Sequence, residues 1–162
     1  MKLTKKEEEL LLRYMDAIHE HEEVLRMKTF IQHGNTSTYD HSLEVTKLAF
    51  LLSRRLPWSF HEKSIVKGAM LHDFYLYDWH VPGPKRKRLH GLHHHRTAHK
   101  NAMKHFRLTP IEEDIILKHM WPLTIKLPRY RESYLVTLAD KIVSIKDTLG
   151  FQKERKENDK SA

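Results

Sequence analysis

Cysteine is absent from the 162 residues. That absence excludes disulfides, thiolate zinc sites and cysteine nucleophiles together, and it fits a reducing compartment. No apolar run approaches the ~20 residues needed to span a bilayer. The stretch Met1–Leu12 is rich in lysine and glutamate where a secretory signal would be apolar. These absences predict a soluble, cytoplasmic protein that makes no use of a membrane. Internal repeats, alternating strand patterns and domain linkers are also lacking. The chain therefore reads as one domain, long enough to bury a real core.

Histidine, by contrast, is abundant, with 14 in the chain, and the formal charge is +8 with histidine counted as neutral. A basic balance favours anionic partners such as nucleotides or nucleic acid. The hydrophobic pattern is helical nearly throughout. Leu10, Leu11, Tyr14, Met15 and Ile18 form one stripe; Val24, Met27, Phe30 and Ile31 form a shorter one. After the turn His33–Ser37, a helix capped by Thr38 or Asp40 is expected to reach Leu56, where Pro57 ends it. Further helices are expected at about 60–77, 94–106, 110–119 and 131–149, with Pro110 in a first turn. The prolines and glycine of Val81–Pro84 mark a loop that leads into Lys85-Arg86-Lys87-Arg88. The expected fold is all-α, a single-domain orthogonal bundle of six or seven helices. N-terminal helices (1–33) would pack on a core (34–149), and 150–162 would form a polar, disordered tail.

The most informative residues are the doublet His72-Asp73, at the end of the apolar run Ile65–Leu71. Upstream stands His41 and downstream Asp140, each beside an apolar helical stripe. A lone buried histidine is more often a hydrogen-bonded core residue than a ligand. Four such groups together are harder to explain, because buried ionisable side chains are costly without partners and a shared cation supplies one. Imidazole and carboxylate together suit iron, manganese or zinc better than calcium or magnesium.

Three segments carry a resemblance: Ser37-Thr38-Tyr39-Asp40-His41-Ser42-Leu43-Glu44-Val45, Gly68-Ala69-Met70-Leu71-His72-Asp73, and Leu138-Ala139-Asp140-Lys141. In this order they resemble the signature segments of the HD-domain metal-dependent phosphohydrolase superfamily, over roughly residues 34–149. The resemblance implies an α-helical orthogonal bundle in which His41, His72, Asp73 and Asp140 hold one metal. His94 and His119 sit where the binuclear branch carries ligands for a second ion, and Asp73 would then bridge the two. His90 and His93 compete with His94 for that role. Phe74-Tyr75-Leu76-Tyr77 after the doublet departs from the alarmone hydrolases. Met120-Trp121-Pro122 after His119 departs from the cyclic-dinucleotide phosphodiesterases. Together Tyr-Asp-His-Ser, Tyr-Asp-Trp and His-Met-Trp-Pro-Leu-Thr resemble a little-characterised bacterial HD subgroup.

The implied activity is cleavage of a phosphomonoester or phosphoanhydride, of a nucleotide in the leading reading, by attack of a metal-bound hydroxide. One or two divalent ions would serve it, iron or manganese ahead of zinc. His33 and His90 are candidate proton donors. Arg88, within the basic loop, and Lys141, beside Asp140, are candidate phosphate contacts; a solvated charge run and an Asp140 pair are the plainer alternatives. Trp79 and Trp121 could stack on a base or simply pack. Two rivals stand beside this reading: an HD domain that senses a nucleotide without turnover, and a basic helical module that binds nucleic acid.

Overall fold

The computed structural model describes residues 2–79 and 90–160, and the side chains of all of these except 33, 90, 91 and 151–160. The chain is an all-α single domain; the described residues form seven α-helices and one two-stranded antiparallel sheet. No helix among the described residues is long and apolar enough to cross a membrane.

Helix α1 (Lys5–His19) begins in a capping box. Thr4 Oγ1 accepts from the Glu7 amide, while the Glu7 carboxylate accepts from the Thr4 amide at 2.8 Å. Leu11, Met15 and Ile18, one helical face, are buried. A short helix α2 (Glu22–Leu25) and a 3-10 turn (Arg26–Thr29) follow. The expected second helical stripe then gives way to a hairpin, β1 (Ile31–His33) and β2 (Thr36–Ser37), with Ile31 opposite Ser37 and His33 opposite Thr36. Gly34, at φ 57°, supplies the left-handed residue of its turn. Strands this short, of two and three residues, are too brief to print an alternating pattern on the sequence.

Helix α3 (Thr38–Arg55) is capped by Ser37 rather than by Thr38 or Asp40: Ser37 Oγ accepts from the Asp40 amide at 3.1 Å. Thr38 is instead used inside, where its hydroxyl reaches Phe30 O, Gln32 and Tyr75. The helix ends as Leu56, ahead of Pro57, turns extended.

Helix α4 (Glu62–Leu71) is the central helix. Val66 and Met70 enter one apolar cluster with Leu11, Met15, Phe50, Phe74 and Ile116. Ile65 and Ala69, on the neighbouring face, enter a second with Val45, Ala49, Ile115, Val136 and Ala139. At Gly68 the neighbour comes closest. A Cβ there would lie 2.7 Å from Ile115 Cδ1 on α6, so only glycine lets the two helices approach this far. The sequence pattern carried this helix to Tyr77. It stops at Leu71 instead, so the doublet stands at its C-terminal end rather than within it. Leu76 follows at φ 58°, and Asn101 Nδ2 donates to the Phe74 and Tyr75 carbonyls, holding the departing chain.

Helix α5 (His90–His105) begins earlier than expected. Helix α6 (Pro110–Lys118) has Pro110 in its first turn and a Thr109–Glu112 capping box. Helix α7 (Arg131–Lys160) continues past Leu149, where the apolar periodicity weakens. Val136, Ala139 and Val143 seat α7 against the second cluster, which turns Asp140 towards the end of α4.

Candidate metal centre

Five elements converge where α4 ends. His41 comes from the second turn of α3, His72 and Asp73 from the end of α4, His94 from α5, His119 from the end of α6, and Asp140 from the middle of α7. All six are buried, His41 and His72 completely. These are the six metal positions expected from the sequence, and the fold brings all of them together.

The cluster has two overlapping halves. In the first, His41 Nε2 lies 3.1 Å and His72 Nε2 3.6 Å from the same oxygen, Asp140 Oδ1. In the second, His94 Nε2 lies 3.1 Å and His119 Nε2 3.5 Å from Asp73 Oδ1. His94 Nε2 and His119 Nε2 are themselves 2.8 Å apart. Asp73 joins the halves, because its other oxygen, Oδ2, lies 3.4 Å from His72 Nε2. Donor atoms of His41, His72 and Asp140 all fall within 4.8 Å of one another, as do those of His72, Asp73 and His119.

The ring nitrogens show which way these imidazoles are meant to be used. His72 Nδ1 lies 2.6 Å from the Ala69 carbonyl, and His119 Nδ1 lies 2.9 Å from the Ile116 carbonyl. A carbonyl can only accept, so each Nδ1 carries a proton and donates it. His41 Nδ1 donates likewise to Asp147 Oδ2 at 3.1 Å. In the neutral imidazole this leaves Nε2 as a bare lone pair. All three lone pairs then face carboxylate oxygens, a repulsive arrangement unless a cation or a proton stands between. His72 Nε2 and Asp73 Oδ1 are buried with no hydrogen-bond partner. Orphaned buried acceptors of this kind call for a ligand, and imidazole with carboxylate suits a divalent transition ion. The cluster can hold a metal ion, and its donor set fits one.

Proton affinities follow the same geometry. Burial opposes charge on His72, but the Asp73 and Asp140 carboxylates outweigh it and hold the imidazole well above its ordinary value. Burial opposes charge on His41 too, and its bonds to Asp140 and Asp147 again win. Asp73 and Asp140 are held well below the usual carboxylate range: burial resists, and the surrounding imidazoles prevail. His119 goes the other way. Burial, then repulsion from His72, pushes it down to about 3, so it stays neutral and ready to ligate.

Other residues complete the surroundings, and sequence reasoning missed them. Gln32 on β1 donates from Nε2 to Asp73 Oδ2 at 2.6 Å, while its Oε1 accepts from the Tyr75 hydroxyl and, at 3.4 Å, from Thr38. Nothing in the sequence marks Gln32, because the hairpin that delivers it left no pattern. Asp147 did leave a signal: it follows Asp140 by two helical turns on the same face. Ser144, between them, donates to Asp140 Oδ1 at 3.3 Å. His95 is buried beside the centre with Nδ1 unpartnered, and burial together with His94 and Arg96 pushes it down to about 4.

Of the side chains described in the histidine-rich turn, His94 is the one whose Nε2 reaches Asp73 and His119. His93 is half-buried and makes no hydrogen bond or ion pair with the described residues. His90 is the first residue of α5 and His33 the last of β1, but neither side chain is described. Arg88 and the basic loop lie outside the described residues. Lys141 is half-buried on α7 and forms no ion pair with Asp140. Trp121 packs edge-on against Tyr134, with ring centroids 5.7 Å apart.

No family model matches this chain. No curated protein and no solved structure matches it either. The chemistry of the centre therefore follows from its own donors.

Proposed function

We propose that this chain is a metal-dependent phosphohydrolase of the HD-domain type, cleaving a phosphomonoester or phosphoanhydride of a nucleotide. The observation that carries the reading is the set of inward Nε2 atoms on His41, His72 and His119. Each is fixed by an outward Nδ1–H, and all gather around the carboxylates of Asp73 and Asp140. The two-lobed arrangement, with Asp73 shared, supports a pair of divalent ions, iron or manganese ahead of zinc. Bound there, such ions would activate water and neutralise phosphoryl charge.

The chain's own residues have distinct parts in this reading. His41, His72 and Asp140 would hold one ion and His94 and His119 the other, with Asp73 shared between the two sets. Gln32 fixes the Asp73 carboxylate through Oδ2, leaving Oδ1 aimed at His94 and His119. The overall basic charge favours an anionic substrate. His33 and His90 remain the candidates for protonating the leaving alkoxide, and Arg88 and Lys141 for contacting phosphate.

The test joins metal content to turnover. Purified wild type should carry iron, manganese or zinc and should hydrolyse at least one member of a nucleotide panel. His72→Ala and Asp73→Ala should each lose metal and at least ~100-fold in turnover. Wild-type metal and turnover in both variants would rule the reading out. Tight nucleotide and metal binding without product would instead identify a sensor.

A further inference from the structure

The three outward Nδ1–H groups do not end on equal acceptors. His72 and His119 donate to carbonyls within their own local chain, Ala69 and Ile116. His41 donates to a carboxylate, Asp147 Oδ2, 106 residues away on another helix. A carbonyl fixes ring orientation. A carboxylate does that and also stabilises the positive charge that an imidazole acquires when its other nitrogen donates to a cation. The first half of the cluster therefore has an electrostatic support that the described contacts of His72 and His119 lack.

The support is built into one face of α7. Asp140 and Asp147 are two turns apart, and His41 lies between them, its Nε2 and Nδ1 each 3.1 Å from a carboxylate oxygen. Ser144, also on this face, steadies Asp140 Oδ1. Asp147 itself is largely shielded, with its side chain only 15% exposed, so water screens the pair weakly.

We propose that Asp147 is a positioning residue that selectively tightens divalent-cation binding in the His41–His72–Asp140 half of the centre. The proposal rests on the metal-site reading above, and the experiment separates the two. Manganese(II) and zinc(II) affinities of the ion-free full chain are measured by competition with a chromophoric chelator. The proteins are wild type, Asp147→Ala and Asp147→Asn, with His41→Ala and His94→Ala as backgrounds.

Asp147→Ala should weaken one class of site by ~10–100-fold and leave the other unchanged. Asp147→Asn keeps an acceptor without the charge and should fall between wild type and alanine. Its near-identical shape also keeps the test informative if the alanine variant folds poorly. In the His94→Ala background the full loss should persist. In the His41→Ala background, removing Asp147 should add nothing. Equal weakening at both sites, an undiminished loss without His41, or wild-type affinity in both Asp147 variants would each overturn the proposal. Failure of the wild type to bind either cation would sink the metal reading itself, and that result is visible before any Asp147 variant is made.

Discussion

At the scale of single residues, the centre depends on side chains that never face a ligand. Gln32 is the clearest case. Its carboxamide satisfies three buried groups at once: the Asp73 carboxylate, the Tyr75 hydroxyl and the Thr38 hydroxyl. Gln32→Ala removes all of these contacts, and each buried polar group left unpaired costs about 1–3 kcal/mol. The Thr38–Tyr75 contact at 3.1 Å survives and limits the damage to those two. Among the described residues, Asp73 Oδ2 has no such alternative other than His72 Nε2. The expected result is a lower melting temperature together with ~10–100-fold weaker metal binding. Thermal denaturation and chelator competition would read the two effects separately. A variant that loses stability but keeps wild-type metal affinity would show that Gln32 serves folding alone.

At the scale of elements, α4 decides where the centre lies, and its course depends on one missing side chain. Gly68 sits against Ile115 so closely that an added methyl would overlap its side chain, with Cδ1 at 2.7 Å and Cβ and Cγ2 at 3.0 Å. Gly68→Ala should therefore push α4 and α6 apart despite alanine's better helix propensity. Overpacking of this kind costs about 1–3 kcal/mol. Because α4 ends in His72-Asp73 and α6 in His119, the same shift should spread the donors and lower metal affinity. Ile115→Val removes the atom of closest approach and should restore part of the stability of Gly68→Ala, but not all, since Cβ and Cγ2 remain. A double variant no more stable than Gly68→Ala would count against this account. The element scale also shows what the sequence could reveal. Long amphipathic stretches such as α1 and α3 were legible from period alone. The end of α4 was not, because Phe74 and Tyr75 are buried and continue the apolar pattern after the helix has stopped. The hairpin was invisible for the opposite reason, its strands being shorter than one period of evidence. Four of the clustered donors, His41, His72, Asp73 and Asp140, were legible through their order and flanking residues; His94 and His119 were reached only through the family resemblance, with His90 and His93 left as competitors of His94. The residues that orient them were not, because a hydrogen bond between Gln32 and Asp73 is fixed only by tertiary packing.

At the scale of the whole molecule, the ionic state of the centre couples stability to pH, and the sign depends on what fills it. In the ion-free protein, His41 and His72 are held above their ordinary value of 6.5, the carboxylates overcoming the opposing effect of burial. Their contribution to stability is fully present below about pH 6.5 and is lost as pH rises through the raised folded values. The depressed carboxylates, Asp73 and Asp140, contribute above about pH 4 and lose that contribution only as pH falls further. His119 is neutral in the folded chain and opposes folding as acid protonates its unfolded counterpart, whether or not metal is present. A cation must displace the protons on His41 and His72, so it binds more tightly as pH rises. Saturation to ~100 times the dissociation constant stabilises by about 2.7 kcal/mol. Both trends act in one direction. Raising pH from about 6 to about 8 at fixed free metal should widen the gap between the melting temperatures of the metal-loaded and chelator-stripped proteins. Above about pH 6.5 the ion-free protein begins to lose its bound-proton contribution while the loaded protein gains affinity. His41→Ala should narrow the widening by removing one displaced proton and one ligand together. A gap that stays constant or shrinks with rising pH would mean that cations and protons do not compete for these imidazoles, and the centre would then be a proton-linked core cluster instead.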